Sequence, residues 1–171
     1  MTRLHVITAI TRPANLGAIA LSLAAACATA RVDLTWHWVF DWDHAHIGGQ
    51  KRKNDALDAI GDGWVWMLDD DTVAHSEILQ AWLRWARTDG VDAVVFGQTR
   101  ADGRILEANA EHARVGHIDV GQAIIRRASI ADTRLEEHYD ADGVFLEAVL
   151  PRISTIYDNR YLSFHNRLEA A

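Results

Sequence analysis

Residues 51–72 read KRKNDALDAIGDGWVWMLDDDT, and this stretch decides the fold. Its run WVWML (64–68) is short, continuous and apolar, as is typical of a strand buried on both faces of a sheet. Residues 51–60 have the apolar spacing of a helix and end at a Gly-Asp-Gly sequence. An acidic triplet, Asp69-Asp70-Asp71, follows the strand at once. We therefore expect a helix and then a central strand whose carboxyl end carries three carboxylates, where open α/β sheets bind ligands.

Strands and helices alternate on both sides of this stretch. Apolar runs predict strands over residues 4–10, 34–40, 64–68 and 91–96. Helical patterns lie between them, over residues 13–31, 51–60 and 78–87, the last with Ser76 as its N-cap. This order is typical of an α/β fold with a mostly parallel central sheet flanked by helices. The second half adds a hairpin at Asp102-Gly103, a strand at 117–125, helices at 129–138 and after Asp142, and closing strands at 153–157 and 161–164 around an Asp158-Asn159 turn.

The acidic triplet has a chemical requirement of its own. Like charges within a few ångströms raise one another's pKa, so adjacent carboxylates need a compensating partner. A hard divalent cation such as Mg²⁺ or Mn²⁺ supplies it, because it prefers oxygen ligands together with substrate phosphates. Alternate side chains of an extended stretch point to one side, which places Asp69 and Asp71 together. The triplet predicts a metal–diphosphate site, and the alternative is a solvated turn in which Asp71 or Thr72 caps the next helix.

Composition excludes several classes of protein. The chain has 171 residues, a net charge of −7 and one cysteine. Its length suits about one domain of roughly 100–200 residues, and its acidic balance disfavours a nucleic-acid polymer as partner. One cysteine excludes an intramolecular disulfide and fits a reducing cytosol. The alanine-rich stretch 14–30 is too short for a transmembrane segment, which needs about 20 apolar residues, so we expect a cytoplasmic protein.

The order of segments resembles the GT-A-fold glycosyltransferases over nearly the whole chain. The likeness is to the inverting type, which includes bacterial family-two-like sugar transferases and animal glucuronyltransferases. Four passages carry it: VITAITRP, KRKNDALDAIGDGWVWMLDDDT, VGQAIIRR, and DADGVFLEAVL followed by YLSFHNRL. The resemblance implies a single GT-A-like domain over 1–171, with a nucleotide-binding half at about 1–97 and an acceptor and catalytic half at about 98–171.

The resemblance also implies the roles of individual residues. It assigns the metal ion, Mn²⁺ or Mg²⁺, to Asp71, Asp69 and His165, and contact with the diphosphate is the alternative role of His165. It assigns the nucleotide sugar to residues of the first half: Thr8, Arg12, Asp41, Lys53, Asp69 and Asp70. Asp43 competes with Asp41 for contact with the nucleotide base. Lys53 stands where the family usually has arginine, so the sequence does not determine the nucleotide base. UDP is expected by analogy with the family.

Transfer of a sugar also requires a base that removes the acceptor proton. Asp142 stands at the predicted start of a helix, in the position of the family's catalytic carboxylate. Simple helix capping is the alternative role for this residue. Glu147 is the competing base, but it lies about 500° further around the helix at roughly 100° per residue. We therefore expect Asp142 to be the base, and Glu147 to support the helix or to face solvent.

The predicted function is metal-dependent transfer of a sugar from a nucleotide-diphosphate donor to an acceptor hydroxyl with inversion. The sequence does not distinguish a glycan, a lipid-linked sugar and a small molecule as the acceptor. The acceptor-side segment is compact, so a second subunit or a partner protein can complete the acceptor site. A nucleotidyltransferase is one alternative, although its glycine-rich loop is replaced here by TRPANLG. An inactive nucleotide- or carbohydrate-binding module is another. His44 and His46 beside Asp41 and Asp43 leave open a separate zinc site.

Overall fold

The structure is a computed structural model that describes residues 2–41 and 49–168. Within these ranges eight strands occur: β1 (Arg3–Ile10), β2 (Asp33–Phe40), β3 (Trp64–Met67), β4 (Val73–Ala74), β5 (Ala93–Arg100), β6 (Ile105–Leu106), β7 (Ala123–Arg126) and β8 (Thr155–His165). The α-helices there are α1 (Leu16–Thr29), α2 (Gln50–Ala59), α3 (Ile78–Ala86), α4 (Arg127–Ile130) and α5 (Ala141–Val149). None of these helices combines the length and apolarity needed to cross a membrane.

All eight strands belong to one sheet, in the order β2-β1-β3-β7-β5-β8-β4 with β6 paired to β5. β1 is parallel to β2 and β3, and β8 is parallel to β5. β7 lies between β3 and β5 and is antiparallel to both, so β3 and β5 run in the same direction. Five strands therefore share one direction and three oppose it, which confirms the predicted α/β fold with a mostly parallel sheet.

Helices cover both faces of the sheet, and successive side chains of β3 point alternately into the two cores. Trp64 and Trp66 belong to the core that packs on α1 and α3. Val65 and Met67 belong to the opposite core, which packs on α2 and α5. The tryptophan rings fill their core, and Trp64 meets Trp82 of α3 edge to face with ring centroids 5.6 Å apart. Continued alternation directs residue 69 towards α2 and α5.

The helix predicted over residues 129–138 is wrong. α4 ends at Ile130, and Ala131 then takes a positive φ of 51°. Contacts with α2 replace the helical hydrogen bonds of the following segment. Asn54 accepts from the backbone N–H of Leu135 at 3.0 Å and donates to its carbonyl at 2.8 Å. These bonds hold residues 131–140 as an irregular segment against α2.

Three other predicted elements differ in detail. The strand predicted at 117–125 is confined to β7, because Val120–Gln122 forms a 3₁₀ turn closed by a capping box of Asp119 and Gln122. The two closing strands are one continuous strand, β8, which carries a bulge opposite Phe96 and Gly97. Glu77, not Ser76, precedes α3, and it makes no side-chain capping bond. The hairpin predicted around residues 102–103 is confirmed by the antiparallel pairing of β5 with β6.

Candidate active site

A cavity of about 330 Å³ opens beyond the carboxyl ends of β1 and β3. Its lining is mostly charged. The carboxylates are Asp69, Asp70, Asp71, Asp119, Asp140 and Asp142, and the cationic side chains are Arg12, Lys53 and Arg100, with His165 beside them. Six negative charges less three positive charges leave a formal surplus of three negative charges. Such a surplus within one cavity attracts cations.

A buried ion pair joins α2 to the acidic triplet. Nζ of Lys53 donates to Oδ1 of Asp69 at 2.5 Å, and the lysine side chain is 2% exposed. Burial acts to lower the pKa of Lys53, but the negative charge of Asp69 outweighs it, and the pKa lies above the usual value. Burial also acts to raise the pKa of Asp69, and the lysine ammonium reverses this effect. Both side chains are therefore held in their charged forms.

Asp70 points away from Lys53 and holds the loop after β1. Its carboxylate accepts from the backbone N–H of Thr11 and of Arg12, each at 2.6 Å. It also accepts from the Thr11 hydroxyl at 2.9 Å and from Nη1 of Arg12 at 2.9 Å. With four donors on one carboxylate, Asp70 orders the loop that lines the cavity. Its contact with ribose or sugar stays a prediction.

Asp71 and Asp69 meet His165, which lies at the end of β8. Nδ1 of His165 is 3.6 Å from Oδ1 of Asp71 and 4.0 Å from Oδ2 of Asp69. One ligand atom from each of the three residues fits within 4.8 Å of the other two. The two carboxylate oxygens suit Mn²⁺ or Mg²⁺, and the imidazole nitrogen is a ligand that a transition-metal ion such as Mn²⁺ accepts more readily than Mg²⁺ does. The predicted metal ligands thus come together, and their donor atoms fit a divalent cation.

The solvated turn considered for the triplet is not observed. Asp70 is 4% exposed and Asp71 is 5% exposed. Oδ2 of Asp71 accepts from Nη1 of Arg12 at 2.7 Å, and the hydroxyl of Thr72 lies 3.2 Å from Nδ1 of His165. The next helix begins six residues beyond Thr72, at Ile78. Neither Asp71 nor Thr72 caps this helix, and the three carboxylates of the triplet line the cavity instead.

Asp142 enters the cavity from the first turn of α5. Its Oδ1 is buried and has no hydrogen-bond partner in the described part of the chain. Burial raises the pKa of Asp142 to about 7; Lys53 opposes the rise, and Asp69 and Asp119 add to it. A carboxylate with such a pKa can accept a proton near neutral pH. Asp142, Asp69 and Asp119 form a second group of possible metal ligands, in which one carboxylate oxygen from each residue lies within 4.8 Å of the other two.

Asp119 is a cavity residue that sequence reasoning missed. Its Oδ1 accepts from the backbone N–H of Gly121 at 2.8 Å, and its Oδ2 lies 3.8 Å from Nδ1 of His165. Burial and the charge of Asp69 raise the pKa of Asp119. The sequence Asp-Val-Gly-Gln carries a capping-box pattern that signals this turn. Nothing in that local pattern shows that the turn reaches the acidic triplet.

Arg100 and Tyr139 also line the cavity without having been predicted to do so. Arg100 ends β5, and its buried Nε has no hydrogen-bond partner among the described residues. Tyr139 lies in the irregular segment 131–140 and is 88% exposed. Arginine at a strand end and tyrosine in a loop have no motif spacing, so only the fold brings them here.

Helix α5 is fixed against the segment before β7. A Cβ atom on Gly143 would lie 2.5 Å from Cα of Val115, so the helix approaches this backbone closely. Oε1 of Glu147 accepts from the backbone N–H of Val115 at 2.8 Å. Glu147 is not among the residues that line the cavity in the described structure. Its position agrees with the supporting role expected for it.

Two predicted nucleotide contacts lie away from the cavity formed by the described residues. The hydroxyl of Thr8 accepts from Nε1 of Trp36 at 3.0 Å, and Thr8 is fully buried. Asp41 is also fully buried, 3.6 Å from Nε of Arg52. Contacts of Thr8 and Asp41 with a nucleotide stay predictions. The competing Asp43 and the His44–His46 pair lie outside the described residues.

Comparison of folds finds glycosyltransferase structures. S. aureus TarS 1–349 has a TM-score of 0.67 and 16% identity, covering 99% of this chain and 61% of that chain. The catalytic domain of Drosophila β1,4-galactosyltransferase 7, in complex with xylobiose, has a TM-score of 0.61 and 12% identity over 91% of this chain and 64% of its own. A glycosyltransferase involved in glycosylation of the major capsid of PBCV-1 has a TM-score of 0.55 and 10% identity, covering 95% of this chain and 91% of that chain.

These likenesses confirm the predicted GT-A-like fold. The chain spans less than two thirds of the TarS fragment and of the Drosophila domain. No protein-family model and no curated protein sequence matches the chain. At identities of 10–16% the shared property is the fold, and the chemistry has to be argued from the residues of this chain.

Proposed function

We propose that this chain is a metal-dependent glycosyltransferase that moves a sugar from a nucleotide-diphosphate donor, a UDP-sugar, to an acceptor hydroxyl with inversion. The observation that carries the proposal is the meeting, in one cavity, of a metal-ligand set and a separate buried carboxylate with a pKa near 7. Solved structures of the same fold support an enzyme of this class. TarS was solved with UDP-GlcNAc, and a mutant of the Drosophila enzyme with manganese, UDP-Gal and xylobiose.

Asp69, Asp71 and His165 would hold the cation. A bound Mn²⁺ or Mg²⁺ supplies Lewis-acid stabilisation of the negative charge that grows on the departing diphosphate. Lys53 keeps Asp69 ionised through their buried pair, and Arg12 orients Asp71 through its 2.7 Å hydrogen bond. Lys53 thus keeps Asp69 charged, and Arg12 holds the Asp71 carboxylate in place.

Asp142 would act as the base. The acceptor oxygen forms a bond to the anomeric carbon while the bond from that carbon to the diphosphate oxygen breaks, and its electron pair leaves with the nucleoside diphosphate. The acceptor proton passes to the carboxylate of Asp142, which typically contributes about 10²–10⁴ in rate. A single displacement of this kind inverts the anomeric centre and needs no covalent sugar–enzyme intermediate.

The donor would lie along the carboxyl ends of β1 and β3. Arg12, Lys53 and Asp70 line this part of the cavity, and Thr8 and Asp41 are assigned to the nucleotide by the family resemblance alone. We place the nucleotide-binding half at about 1–97 and the acceptor half at about 98–171 of one domain. The acceptor is a glycan, a lipid-linked sugar or a small molecule, and a second subunit or partner can complete its site.

Two other functions predict different behaviour. A nucleotidyltransferase would release pyrophosphate and form a nucleotide sugar. Such enzymes usually have a glycine-rich loop after the first strand, whereas the loop after β1 here forms a 3₁₀ turn at Pro13–Asn15. A non-catalytic binding module has no use for a buried proton acceptor. The unpartnered Oδ1 of Asp142 therefore favours catalysis over binding alone.

The test begins with a thermal-shift screen of nucleoside diphosphates and nucleotide sugars, with and without Mn²⁺. A ligand that binds only the folded protein raises the melting temperature by mass action. We expect UDP and one UDP-sugar to raise it only when Mn²⁺ is present, and that UDP-sugar to be slowly hydrolysed to UDP. Metal-independent nucleotide binding would contradict the metal assignment.

A pair of matched variants separates the two candidate bases. Asp142→Asn is expected to lower the rate of UDP release by about 10²–10⁴ with little change in UDP binding. Glu147→Gln, five residues or about 1.4 turns further along α5, is expected to retain the rate. The opposite result would identify Glu147 as the base. Wild-type rates in both variants would exclude both residues as the base, and UDP binding without UDP release in the wild type would favour the binding module.

A further inference from the structure

Tyr139 is an aromatic side chain left in water at the mouth of the cavity. It is 88% exposed, the largest exposed fraction among the large hydrophobic and aromatic residues of the described chain, and it lines the cavity. Tyrosine normally buries much of its ring, because the ring contributes apolar surface. A ring that is almost fully exposed and borders a ligand cavity is available to stack on a ligand.

The chain position of Tyr139 ties it to the base. Asp140 is the N-cap residue of α5, and Asp142 lies in the first turn, so Tyr139 immediately precedes the helix that carries Asp142. Three residues of extended chain span at most about 11 Å. The Cα atoms of Tyr139 and Asp142 therefore lie at most about 11 Å apart, and both residues line the same cavity.

The cavity lining also includes an aliphatic side chain. The short strand β6 contributes Leu106 to the cavity lining, and its neighbour Ile105 is 54% exposed. The groups proposed to hold the donor, Arg12 and the metal ligands, come instead from the ends of β1, β3 and β8. The cavity thus combines apolar surface at Tyr139 and Leu106 with the charged groups of the acidic triplet and of α5.

We propose that Tyr139 is the stacking platform of the acceptor subsite and that the acceptor presents a sugar ring to it. Sugar rings carry apolar C–H faces and polar edges, so an exposed aromatic ring binds the face while hydroxyl groups remain free at the edge. One such hydroxyl then points towards Asp142. The inference rests on the proposed function and specifies its acceptor as a carbohydrate.

The test compares transfer with hydrolysis in the same protein. Tyr139→Ala, Tyr139→Phe and the wild type are assayed with the UDP-sugar and Mn²⁺, first without an acceptor and then with a panel of methyl glycosides and disaccharides. Tyr139→Ala is expected to raise the acceptor KM by about five- to tenfold, the size of an aromatic contact, and to leave acceptor-free hydrolysis unchanged. Tyr139→Phe keeps the ring and should retain the wild-type KM.

A control variant and the melting temperature exclude a folding effect. Leu21→Ala removes another exposed apolar side chain, 74% exposed and not part of the cavity lining, and should leave both reactions unchanged. All three variants should melt within a few degrees of the wild type, because they remove exposed atoms.

The outcomes that overturn the inference differ from those that overturn the function. An unchanged acceptor KM in Tyr139→Ala, or hydrolysis without transfer to any sugar of the panel, would remove the carbohydrate platform. Equal loss of hydrolysis and transfer in Tyr139→Ala would place the ring on the donor instead, which also overturns it. Absence of hydrolysis and of Mn²⁺-dependent UDP binding in the wild type would refute the proposed function itself.

Discussion

Lys53 and Asp69 form an ion pair of 2.5 Å in which the lysine side chain is almost entirely buried. The pair links α2 to the end of β3, so the helix supplies the positive charge that the triplet needs before any cation binds. A buried charge without its partner is strongly unfavourable. The stability of the fold and the charge of the candidate metal site therefore depend on the same contact.

The first prediction concerns this pair. Lys53→Met leaves Asp69 without its partner and should lower the free energy of unfolding at pH 7 by about 3–5 kcal/mol. Urea denaturation measures the change. Lys53→Arg retains the positive charge, so its free energy of unfolding should fall much less. Added Mn²⁺ should recover part of the stability of Lys53→Met, because the ion restores positive charge near Asp69. Equal stability of Lys53→Met and wild type in the absence of metal would refute the prediction.

The second prediction concerns the metal ligands. Asp71→Asn removes one anionic oxygen from the cluster with Asp69 and His165 and should weaken Mn²⁺ binding at least about tenfold, since even residues that only orient metal ligands have effects of this size. Calorimetric titration of Mn²⁺ measures it. Asp102→Asn, at an exposed turn, is the control and should bind Mn²⁺ as the wild type does. Retained affinity in Asp71→Asn would exclude this residue as a ligand.

The third prediction is a pH dependence. Burial raises the pKa of Asp142 to about 7, and only the ionised form accepts a proton. The transfer rate should therefore rise with pH and level off above the pKa. A cation at Asp69 and Asp71 adds positive charge, which lowers the pKa of Asp142, so the midpoint should lie at or below about 7.

A matched variant tests that assignment. The residual activity of Asp142→Asn should lose this rise with pH, whereas Glu147→Gln should keep it. The pH profile of kcat at saturating UDP-sugar and Mn²⁺ is the measurement, with metal binding checked separately at each pH. An unaltered profile in Asp142→Asn would assign the titration to another group.

The fourth prediction uses two helical glycines. Gly143→Ala would place a Cβ atom 2.5 Å from Cα of Val115, which forces α5 and Asp142 away from the cavity. We expect lower stability and a lower transfer rate. Gly17→Ala is the matched control: no atom lies within 4 Å of the new Cβ, and α1 should gain roughly 0.5–1 kcal/mol from its better helix propensity. Thermal unfolding and the transfer assay distinguish the two variants, and a stabilising Gly143→Ala would contradict the close approach of α5.

Local sequence predicts much of the first half of the fold because hydrophobic periodicity acts over neighbouring residues. The run at 64–68 is apolar on both faces, and the structure buries both faces under helices. The alternation of side chains also predicts that Asp69 and Asp71 lie on one side, and an oxygen of each lies close to His165; their joint role as metal ligands stays a prediction. The same local reasoning fails at 129–138, where a helical pattern is overridden by the hydrogen bonds of Leu135 to Asn54 on α2.

The sequence by itself determined the fold class and the place of the acidic triplet at a strand end, because both depend on short-range patterns of apolar and polar residues. The family resemblance assigned Asp142 to the same site, but only the tertiary structure decided that Asp119 and Tyr139 share a cavity with that triplet. β7 lies antiparallel between β3 and β5, and this sheet order brings the segment before it next to a strand about sixty residues earlier in the chain. Such proximity depends on which strands pair, and no local pattern of residues carries that information.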